Sequence, residues 1–243
     1  MGKLWHCLVY HDVDFGELQR NMKHIIALSG GIDSAAILYD LASKADIKNI
    51  VSVFFNCGQK AAKQEMMAVR NLSANTKTRL IEIGILDIFC RSNSRLITSN
   101  KKPVTETVRR VNGTEHISTD TEIEFRNGVM LSACTSLAMQ LFPGESVTIY
   151  YGAAKTREPY PDCSLVFTEY MNLLSSYVSG GKVSVKAPLL NMGKDEIVDR
   201  AKALSVPIND TWSCYEGAVK PCGICSACLD RKVAGVFYDN RQG

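Results

Sequence analysis

The strongest constraint on the fold is a short apolar run that stops at two glycines and is followed at once by a helical pattern. Residues 24–28 read HIIAL, residues 29–34 read SGGIDS, and residues 34–44 carry apolar side chains at helical spacing. A glycine-rich turn between a buried strand and a helix lets the backbone approach an anion, and the helix start adds free N–H groups and a favourable dipole. The stretch therefore predicts a phosphate-binding loop. The alternative is a tight turn in which Asp33 or Ser34 caps the helix.

Strand and helix signals alternate along much of the chain. Short β-branched runs predict buried strands at 24–29, 50–56, 79–83 and 146–152. Helical spacing predicts helices at 34–44, 61–74, 128–141, 167–179 and 194–204. This order predicts an α/β fold with a doubly wound parallel sheet. Residues 91–121 are polar and show no period, so they are predicted to form a long lid, binding or disordered loop.

The domain organisation follows from these signals. Residues 23–205 form the predicted nucleotide-binding domain, residues 1–22 an N-terminal extension, and residues 206–243 a small C-terminal region that binds zinc. The net charge of +3 is too small to indicate nucleic-acid binding by itself. No apolar run approaches the roughly 18 residues of a membrane helix, and the N-terminus is a poor signal peptide. The expected location is the cytoplasm, without membrane contact.

The type of phosphate loop is indicated by its motif. The P-loop pattern and the dinucleotide fingerprint are both absent, whereas SGGxDS resembles the loop of ATP-pyrophosphatases, which cleave ATP between its α and β phosphates. Residues 188–201, PLLNMGKDEIVDRA, resemble a late helix of the same superfamily whose lysine reaches the ATP phosphates; an ordinary amphipathic helix is the alternative. The resemblance implies ATP and Mg²⁺ as ligands, with Asp33, Ser34 and Lys194 as catalytic residues. The implied ATP contacts are Ser29, Gly30, Gly31, Asp33 and Ser34.

Four of the nine cysteines form a cluster near the C-terminus with the spacing C-x7-C-x2-C-x2-C. In a chain without an export signal, such a cluster favours a metal site over disulfides. Four thiolates close a tetrahedral site, which predicts structural zinc; the alternative is an iron–sulfur cluster, whose motifs also begin C-x2-C-x2-C. The position of the fourth cysteine upstream of the other three favours zinc. The predicted ligands are Cys214, Cys222, Cys225 and Cys228.

Together these motifs resemble the 7-cyano-7-deazaguanine synthase (QueC) family of queuosine biosynthesis, over residues 23–237. The resemblance includes FNCGQK (55–60), FRNGVMLSAC (125–134), YPDC (160–163) and TWSCY (211–215). It implies ATP-dependent adenylation of the carboxylate of 7-carboxy-7-deazaguanine, attack by ammonia to give the amide, and a second activation that dehydrates the amide to the nitrile. The implied substrate contacts are Arg126, Asn127, Tyr160 and Asp162. A carboxylate that only shapes the turn after proline is the alternative for Asp162.

Several positions depart from the family pattern, and all of them lie at the substrate end. Asn56 and Cys57 replace an acid and a tyrosine, and Glu65 stands one position later than the family's acid. Glu124 and Phe125 replace the usual Pro-Gly, and residues 155–159 form a shortened stretch before YPDC. Adenylation is therefore expected more firmly than nitrile formation.

Three functions are consistent with these residues. The first is a ligase that makes 7-cyano-7-deazaguanine from the deazapurine and ammonia. The second is an enzyme of the same mechanism that stops at the amide or joins the deazaguanine to an amine of a protein or nucleic acid, with residues 1–22 docking the macromolecular acceptor. The third is a non-catalytic nucleotide-binding adaptor, against which the intact SGGIDS argues. The expected assembly is a homodimer.

Overall fold

The computed structural model describes residues 22–104, 107–111, 114–118, 121–155 and 160–237. Almost all of the predicted N-terminal extension therefore lies outside the described residues, as does most of the altered stretch 155–159. No helix in the described ranges is long and apolar enough to cross a membrane.

A five-stranded parallel sheet forms the centre of the molecule, with the strand order β3-β2-β1-β6-β7. The strands are β1 (Lys23–Ala27), β2 (Ile50–Asn56), β3 (Arg79–Gly84), β4 (Thr107–Val111), β5 (Thr114–Ser118), β6 (Val147–Tyr151) and β7 (Val183–Lys186). The helices are α1 (Ile32–Lys44), α2 (Ala62–Thr76), α3 (Leu86–Phe89), α4 (Arg126–Leu141), α5 (Leu165–Val178), α6 (Lys194–Ala203) and α7 (Ser226–Val233). The predicted doubly wound sheet is thereby confirmed.

Each face of the sheet buries its own apolar layer. Because side chains alternate along a strand, Ile25 packs in one cluster with residues of α4 and α5 such as Leu131 and Met171. Its neighbour Ile26 packs in the other cluster with residues of α1, α2 and α6, among them Ile197. The central strand is therefore covered on both sides, which explains why residues 25–28 are apolar without alternation.

The strand order creates a crevice between β1 and β6. Strands β2 and β3 lie on one side of β1, whereas β6 and β7 lie on the other. The connections that leave the carboxyl ends of β1 and β6 therefore diverge, and ligands of open α/β sheets bind at such a switch point. The predicted phosphate loop leaves β1 at this point.

Five elements were not predicted: the helices α3 and α7 and the strands β4, β5 and β7. Strand β7 was not predicted, because its four residues, VSVK, give too short a pattern. The predicted loop 91–121 contains the antiparallel pair β4 and β5. The polar residues of these strands hide the pairing, because an alternating apolar face is the main sequence signal of a strand.

A buried arginine holds two segments of the C-terminal region together. Arg231 on α7 is 1% exposed, and its guanidinium donates to Thr211 Oγ1 at 2.8 Å and to the Ile208 carbonyl at 2.7 Å. Buried charges are tolerated where hydrogen bonds satisfy them. Arg231 thus fixes the helix that carries Cys228 against the segment that leads to Cys214.

Candidate active site and metal centre

The phosphate loop has one glycine that the fold requires and one that it does not. Gly30 has a φ of 83°, and a Cβ there would lie 2.8 Å from the Glu65 carbonyl oxygen, because α2 packs against the loop. Gly31 has an extended backbone, with φ −76° and ψ 165°. A Cβ on Gly31 would meet nothing closer than 3.6 Å. The chain itself therefore leaves room for a Cβ at Gly31, and the lack of a side chain there leaves space for a ligand.

The two serines of the loop hold its shape. Ser34 is 2% exposed, its Oγ accepts from the Ser29 N–H at 3.2 Å, and it donates to the Gly31 carbonyl at 3.2 Å. The two serine hydroxyls lie 3.1 Å apart. The Ser34 hydroxyl therefore faces the inside of the loop, whereas Ser29 is exposed. A direct contact of Ser34 with ATP stays a prediction.

Lys194, the first residue of α6, reaches the phosphate loop. Its Nζ lies 2.6 Å from Oδ1 of Asp33 in the first turn of α1, and both side chains are partly exposed. A second ion pair holds the same two helices together, since Arg200 donates to the buried Asp40 at 2.8 Å. The structure therefore brings together the predicted catalytic residues Asp33 and Lys194, which are 161 positions apart in the chain.

A cleft of about 180 Å³ opens beside the loop at the carboxyl ends of β1, β2 and β6. Its walls also include the first residues of α4, part of α2, and single residues of later segments. Ser29, Arg126 and Asn127 line the cleft, whereas Tyr160 and Asp162 do not. The lining thus contains two of the four predicted substrate contacts.

The remaining two predicted contacts bind neighbouring protein groups. The Asp162 carboxylate accepts from the Asn127 backbone N–H at 3.1 Å, at the start of α4, and the Asp162 carbonyl accepts from the Asn127 side chain at 3.1 Å. The Tyr160 hydroxyl is hydrogen-bonded to Thr121. These bonds fix the segment 160–163 against the start of α4. A contact of either side chain with substrate stays a prediction.

The structure adds a cleft-lining pair that the sequence analysis did not assign. Oε2 of Glu65 accepts from Nε2 of Gln59 at 2.7 Å, and Oε1 of Gln59 accepts from the Cys57 N–H at 2.7 Å. Burial raises the pKa of the Glu65 carboxyl, against the smaller lowering effects of Gln59 and of the Arg126 guanidinium. The stretch FNCGQK and the shifted acid at Glu65 were the signals that pointed to this pair.

Cysteine thiols and tyrosine hydroxyls around the cleft are held in their protonated forms. Burial raises the pKa of Cys57 to about 11, that of Cys163 to about 11 and that of Tyr151 to about 12. Burial raises the pKa of Tyr215 as well. Because a thiolate and not a thiol is the nucleophile, the raised pKa of Cys163 argues against nucleophilic catalysis by this residue.

The four clustered cysteines converge on one point. The sulfur atoms of Cys214, Cys222, Cys225 and Cys228 all lie within 4.8 Å of one another. Ligands about 2.3 Å from a central zinc ion would lie about 3.8 Å apart, so modest closure would produce a tetrahedral site. Three of the cysteines are buried, and the Cys222 N–H already points at Cys214 Sγ at 3.3 Å. The arrangement fits a metal ion with four sulfur ligands.

The metal centre is connected to the phosphate loop by one residue. The Trp212 backbone N–H donates to the Gly30 carbonyl at 2.9 Å, and its indole Nε1 donates to the Cys214 carbonyl at 2.8 Å. The next residue after Cys214 is Tyr215, which lines the cleft. The cysteine cluster therefore positions the chain at both the phosphate loop and the cleft.

Comparison with known proteins gives consistent relatives. A 7-cyano-7-deazaguanine synthase of a Nitratiruptor species is 32% identical over 212 residues, covering 85% of this chain and 90% of the relative. The synthase of Methanobrevibacter smithii is 31% identical, covering 89% and 94%. The synthase of Caldicellulosiruptor bescii is 32% identical, covering 86% and 90%.

Two solved structures are similar to this chain at low sequence identity and low TM-score. The U34-tRNA thiolase NcsA from Methanococcus maripaludis, solved with its 4Fe-4S cluster, is 13% identical with a TM-score of 0.47, covering 92% of this chain and 66% of that chain. NMN synthetase from Francisella tularensis is 16% identical with a TM-score of 0.44, covering 90% and 79%. The family model of the queuosine biosynthesis protein QueC matches residues 23–238, which include the phosphate loop, the cleft and the four cysteines. The chain therefore belongs to the QueC family.

Proposed function

We propose that this protein uses ATP to adenylate the carboxylate of 7-carboxy-7-deazaguanine and lets ammonia displace AMP, forming 7-cyano-7-deazaguanine after a second activation. The observation that carries the proposal is one cleft lined both by Ser29 of the phosphate loop and by Arg126. The names of the relatives support the product, because several 7-cyano-7-deazaguanine synthases match most of this chain.

The chemistry of the first step suits the phosphate loop. A carboxylate is a poor electrophile at neutral pH, whereas an acyl adenylate carries a good leaving group. In this proposal the N–H groups at the start of α1 and the Lys194 ammonium stabilise the charge that develops on pyrophosphate. Asp33 would hold Mg²⁺, an oxygen-preferring ion that neutralises phosphate charge when bound. Asp33 and Lys194 already lie 2.6 Å apart, which supports this assignment.

Arg126 is the group we assign to the substrate carboxylate. It stands at the start of α4, lines the cleft, and has no ion-pair partner within 4.0 Å in the described part of the chain. A guanidinium pairs well with a planar carboxylate through two parallel hydrogen bonds. The aromatic rings of Tyr151 and Tyr215 offer apolar surface for a flat deazapurine.

Product analysis tests the proposal. Purified protein is incubated with 7-carboxy-7-deazaguanine, ATP, Mg²⁺ and ammonium, and the products are identified by mass spectrometry. The expected products are AMP, pyrophosphate and the nitrile. Accumulation of the amide, or of deazaguanine attached to a macromolecule, would support the second function, and ATP binding without turnover would support the adaptor. Release of ADP without AMP would contradict the adenylation chemistry.

We propose zinc as the metal of the cysteine cluster. Its role is structural, because four protein ligands leave no position open for substrate. The expected content is about one zinc per chain and no iron. Elemental analysis of protein purified under argon tests this, and stoichiometric iron with visible absorbance would overturn it.

We also propose that a second copy of the chain covers α5. This helix exposes an apolar seam with the 4-3-4 spacing that is typical of helix pairing. The seam consists of Val166, Tyr170, Leu173 and Tyr177, which are 61%, 69%, 67% and 84% exposed. Contiguous apolar surface of this kind marks interaction sites. Leu173→Glu should convert a dimer to a monomer in analytical ultracentrifugation, while Lys182→Glu at an exposed position beyond the helix should not.

A further inference from the structure

We propose that Glu65 is the catalytic base of the C–N bond-forming step, and that its carboxylate takes the proton that the attacking ammonia nitrogen must lose. The inference rests on the proposed function and adds a residue that performs its second chemical step. It rests on three observations: the orientation of the carboxylate, the absence of another group for the same task in the described lining, and the balance of the reaction.

The orientation of Glu65 is fixed by Gln59. The side-chain oxygen and nitrogen of Gln59 both form hydrogen bonds. The oxygen accepts from the Cys57 N–H, and the nitrogen donates to the Phe55 carbonyl at 3.2 Å and to the Glu65 carboxylate at 2.7 Å. One carboxylate oxygen of Glu65 is thus held, while Oε1 has no hydrogen-bond partner among the described residues. Since Glu65 lines the cleft, Oε1 is available to a ligand.

The other titratable groups described in the cleft do not serve as a base at neutral pH. The thiols of Cys57 and Cys163 and the hydroxyl of Tyr151 remain protonated, because burial raises their pKa values, and tyrosine hydroxyls are in any case protonated at neutral pH. The remaining charged group, Arg126, carries a guanidinium, which donates hydrogen bonds and has no acceptor for a proton. Within the described lining, Glu65 is therefore the only carboxylate.

The reaction needs such a group. When ammonia attacks the acyl adenylate, a C–N bond forms, the bond between the carbonyl carbon and the AMP oxygen breaks, and the nitrogen carries one proton too many for a neutral amide. Glu65 accepts this proton as AMP leaves with its phosphate doubly charged. The products are the amide, AMP and the protonated carboxylic acid, which returns the proton to water before the next step. No oxidant or reductant is required.

The surroundings of Glu65 favour this role. Burial raises its pKa, which moves a carboxyl group towards the neutral range in which a general base is most effective. Arg126 and Gln59 act in the opposite direction and keep the charged form accessible. The cleft thus places a carboxylate of increased basicity beside the guanidinium to which we assign the substrate carboxylate.

The test separates the two chemical steps in the full-length Glu65→Gln protein. Step one is measured as exchange of labelled pyrophosphate into ATP that depends on 7-carboxy-7-deazaguanine. Step two is measured with ammonia and, separately, with hydroxylamine, which is unprotonated at neutral pH and traps acyl adenylates without a base. We expect exchange and hydroxamate formation within about threefold of wild type, and amide formation reduced by about 100-fold, the usual contribution of a general base. Glu65→Asp should restore part of the amide formation, because it restores a carboxylate.

Each other outcome contradicts the inference. Unchanged amide formation in Glu65→Gln would show that another group takes the proton. Equal losses with ammonia and hydroxylamine would assign Glu65 to substrate positioning, and loss of pyrophosphate exchange would assign it to the first step. A wild-type protein without exchange would instead overturn the proposed function itself, and this inference with it.

A second variant covers the case in which Glu65→Gln does not fold. Gln59→Met removes a hydrogen bond that lowers the pKa of Glu65 but retains the carboxylate. The base must be deprotonated to act. A higher pKa of Glu65 therefore shifts the acidic limb of the pH–rate profile for amide formation to higher pH. The acidic limb of pyrophosphate exchange should not move. An unchanged limb for amide formation would contradict the proposal.

Discussion

The two ends of the cleft are built in different ways. Most of the phosphate end is one contiguous segment, residues 29–34, with internal hydrogen bonds such as that between Ser34 and the Ser29 backbone. Lys194 and Trp212 reach it from later in the chain. The substrate end is assembled from several separate segments, and Asp162, one of its predicted contacts, bonds instead to the start of α4. A contiguous loop can therefore be recognised from its local sequence. A pocket assembled from separate segments can exchange individual residues while the helices and strands around it keep their positions.

The metal centre is the feature that should affect both ends at once, and its removal gives the largest expected effect. Trp212 connects the cysteine cluster to Gly30, and Tyr215 connects it to the cleft. Cys225→Ser removes one of four sulfur ligands, and metal binding of this kind contributes folding free energy directly. We expect insoluble protein, or a loss of several kcal/mol in the free energy of unfolding together with the metal.

The measurements are metal content, urea unfolding, and binding of ATP and of the deazapurine. Cys90→Ser is the matched control, because Cys90 is exposed and lies far from the cluster in sequence. A metal-free Cys225→Ser protein with wild-type stability and intact binding of both ligands would contradict the structural role of the metal.

Substitutions at two glycines test the phosphate end. We expect Gly31→Val to lose ATP binding and Gly30→Ala to lose stability. Gly31→Val places a branched side chain where phosphate must approach, while the backbone conformation suits valine. We expect ATP binding to weaken by at least about 100-fold, equivalent to about 2.7 kcal/mol, with thermal stability close to wild type. Isothermal titration calorimetry and thermal unfolding measure the two quantities.

The neighbouring Gly30→Ala is the contrasting variant. Gly30 has a φ of 83°, and a Cβ there would lie 2.8 Å from the Glu65 carbonyl oxygen. Both features disfavour a side chain, so we expect Gly30→Ala to lower the free energy of unfolding by about 1–2 kcal/mol or more.

Normal ATP affinity in Gly31→Val would show that the loop is not the phosphate site.

At the substrate end, Arg126 should affect the deazapurine and not ATP. Arg126→Gln removes the cation assigned to the substrate carboxylate, and hydrogen bonds to charged groups contribute about 1.5–3 kcal/mol. We expect substrate affinity to fall roughly 10-fold to 150-fold, with ATP affinity within about twofold. Calorimetric titration with each ligand measures both, and a larger loss for ATP would assign Arg126 to the phosphate end.

The same contrast explains how far the sequence alone predicts this molecule. The strand, loop and helix at residues 24–44 were predicted because their signals are local, and the spacing of the four clustered cysteines is local for the same reason. The orientation of Glu65 is not local, because it depends on Gln59 and on the packing of α2 against Gly30. Tyr215 belongs to the stretch TWSCY (211–215), but it reaches the cleft through the fold of the cysteine cluster, so its place in the lining cannot be predicted from that stretch alone.

The smallest expected effect distinguishes the two roles of Asp162. In its structural role, the Asp162 carboxylate accepts from the Asn127 N–H in the first turn of α4 at 3.1 Å. An asparagine side chain retains an oxygen acceptor for this bond, whereas alanine removes it at a cost of about 1 kcal/mol of stability. In a contact with the deazaguanine, the negative carboxylate would instead accept hydrogen bonds from N–H groups of the ligand. An asparagine side chain has only one oxygen acceptor and no charge, so it would replace this contact only in part. From the geometry we expect Asp162→Asn to leave both stability and substrate affinity close to wild type, and Asp162→Ala to lower only the free energy of unfolding. Chemical denaturation and substrate titration of both variants decide the matter. Asp162→Asn could instead keep its stability but lose about 1–3 kcal/mol of substrate affinity. That result would mean that the carboxylate leaves α4 when substrate binds and contacts the deazaguanine, as the sequence analysis expects.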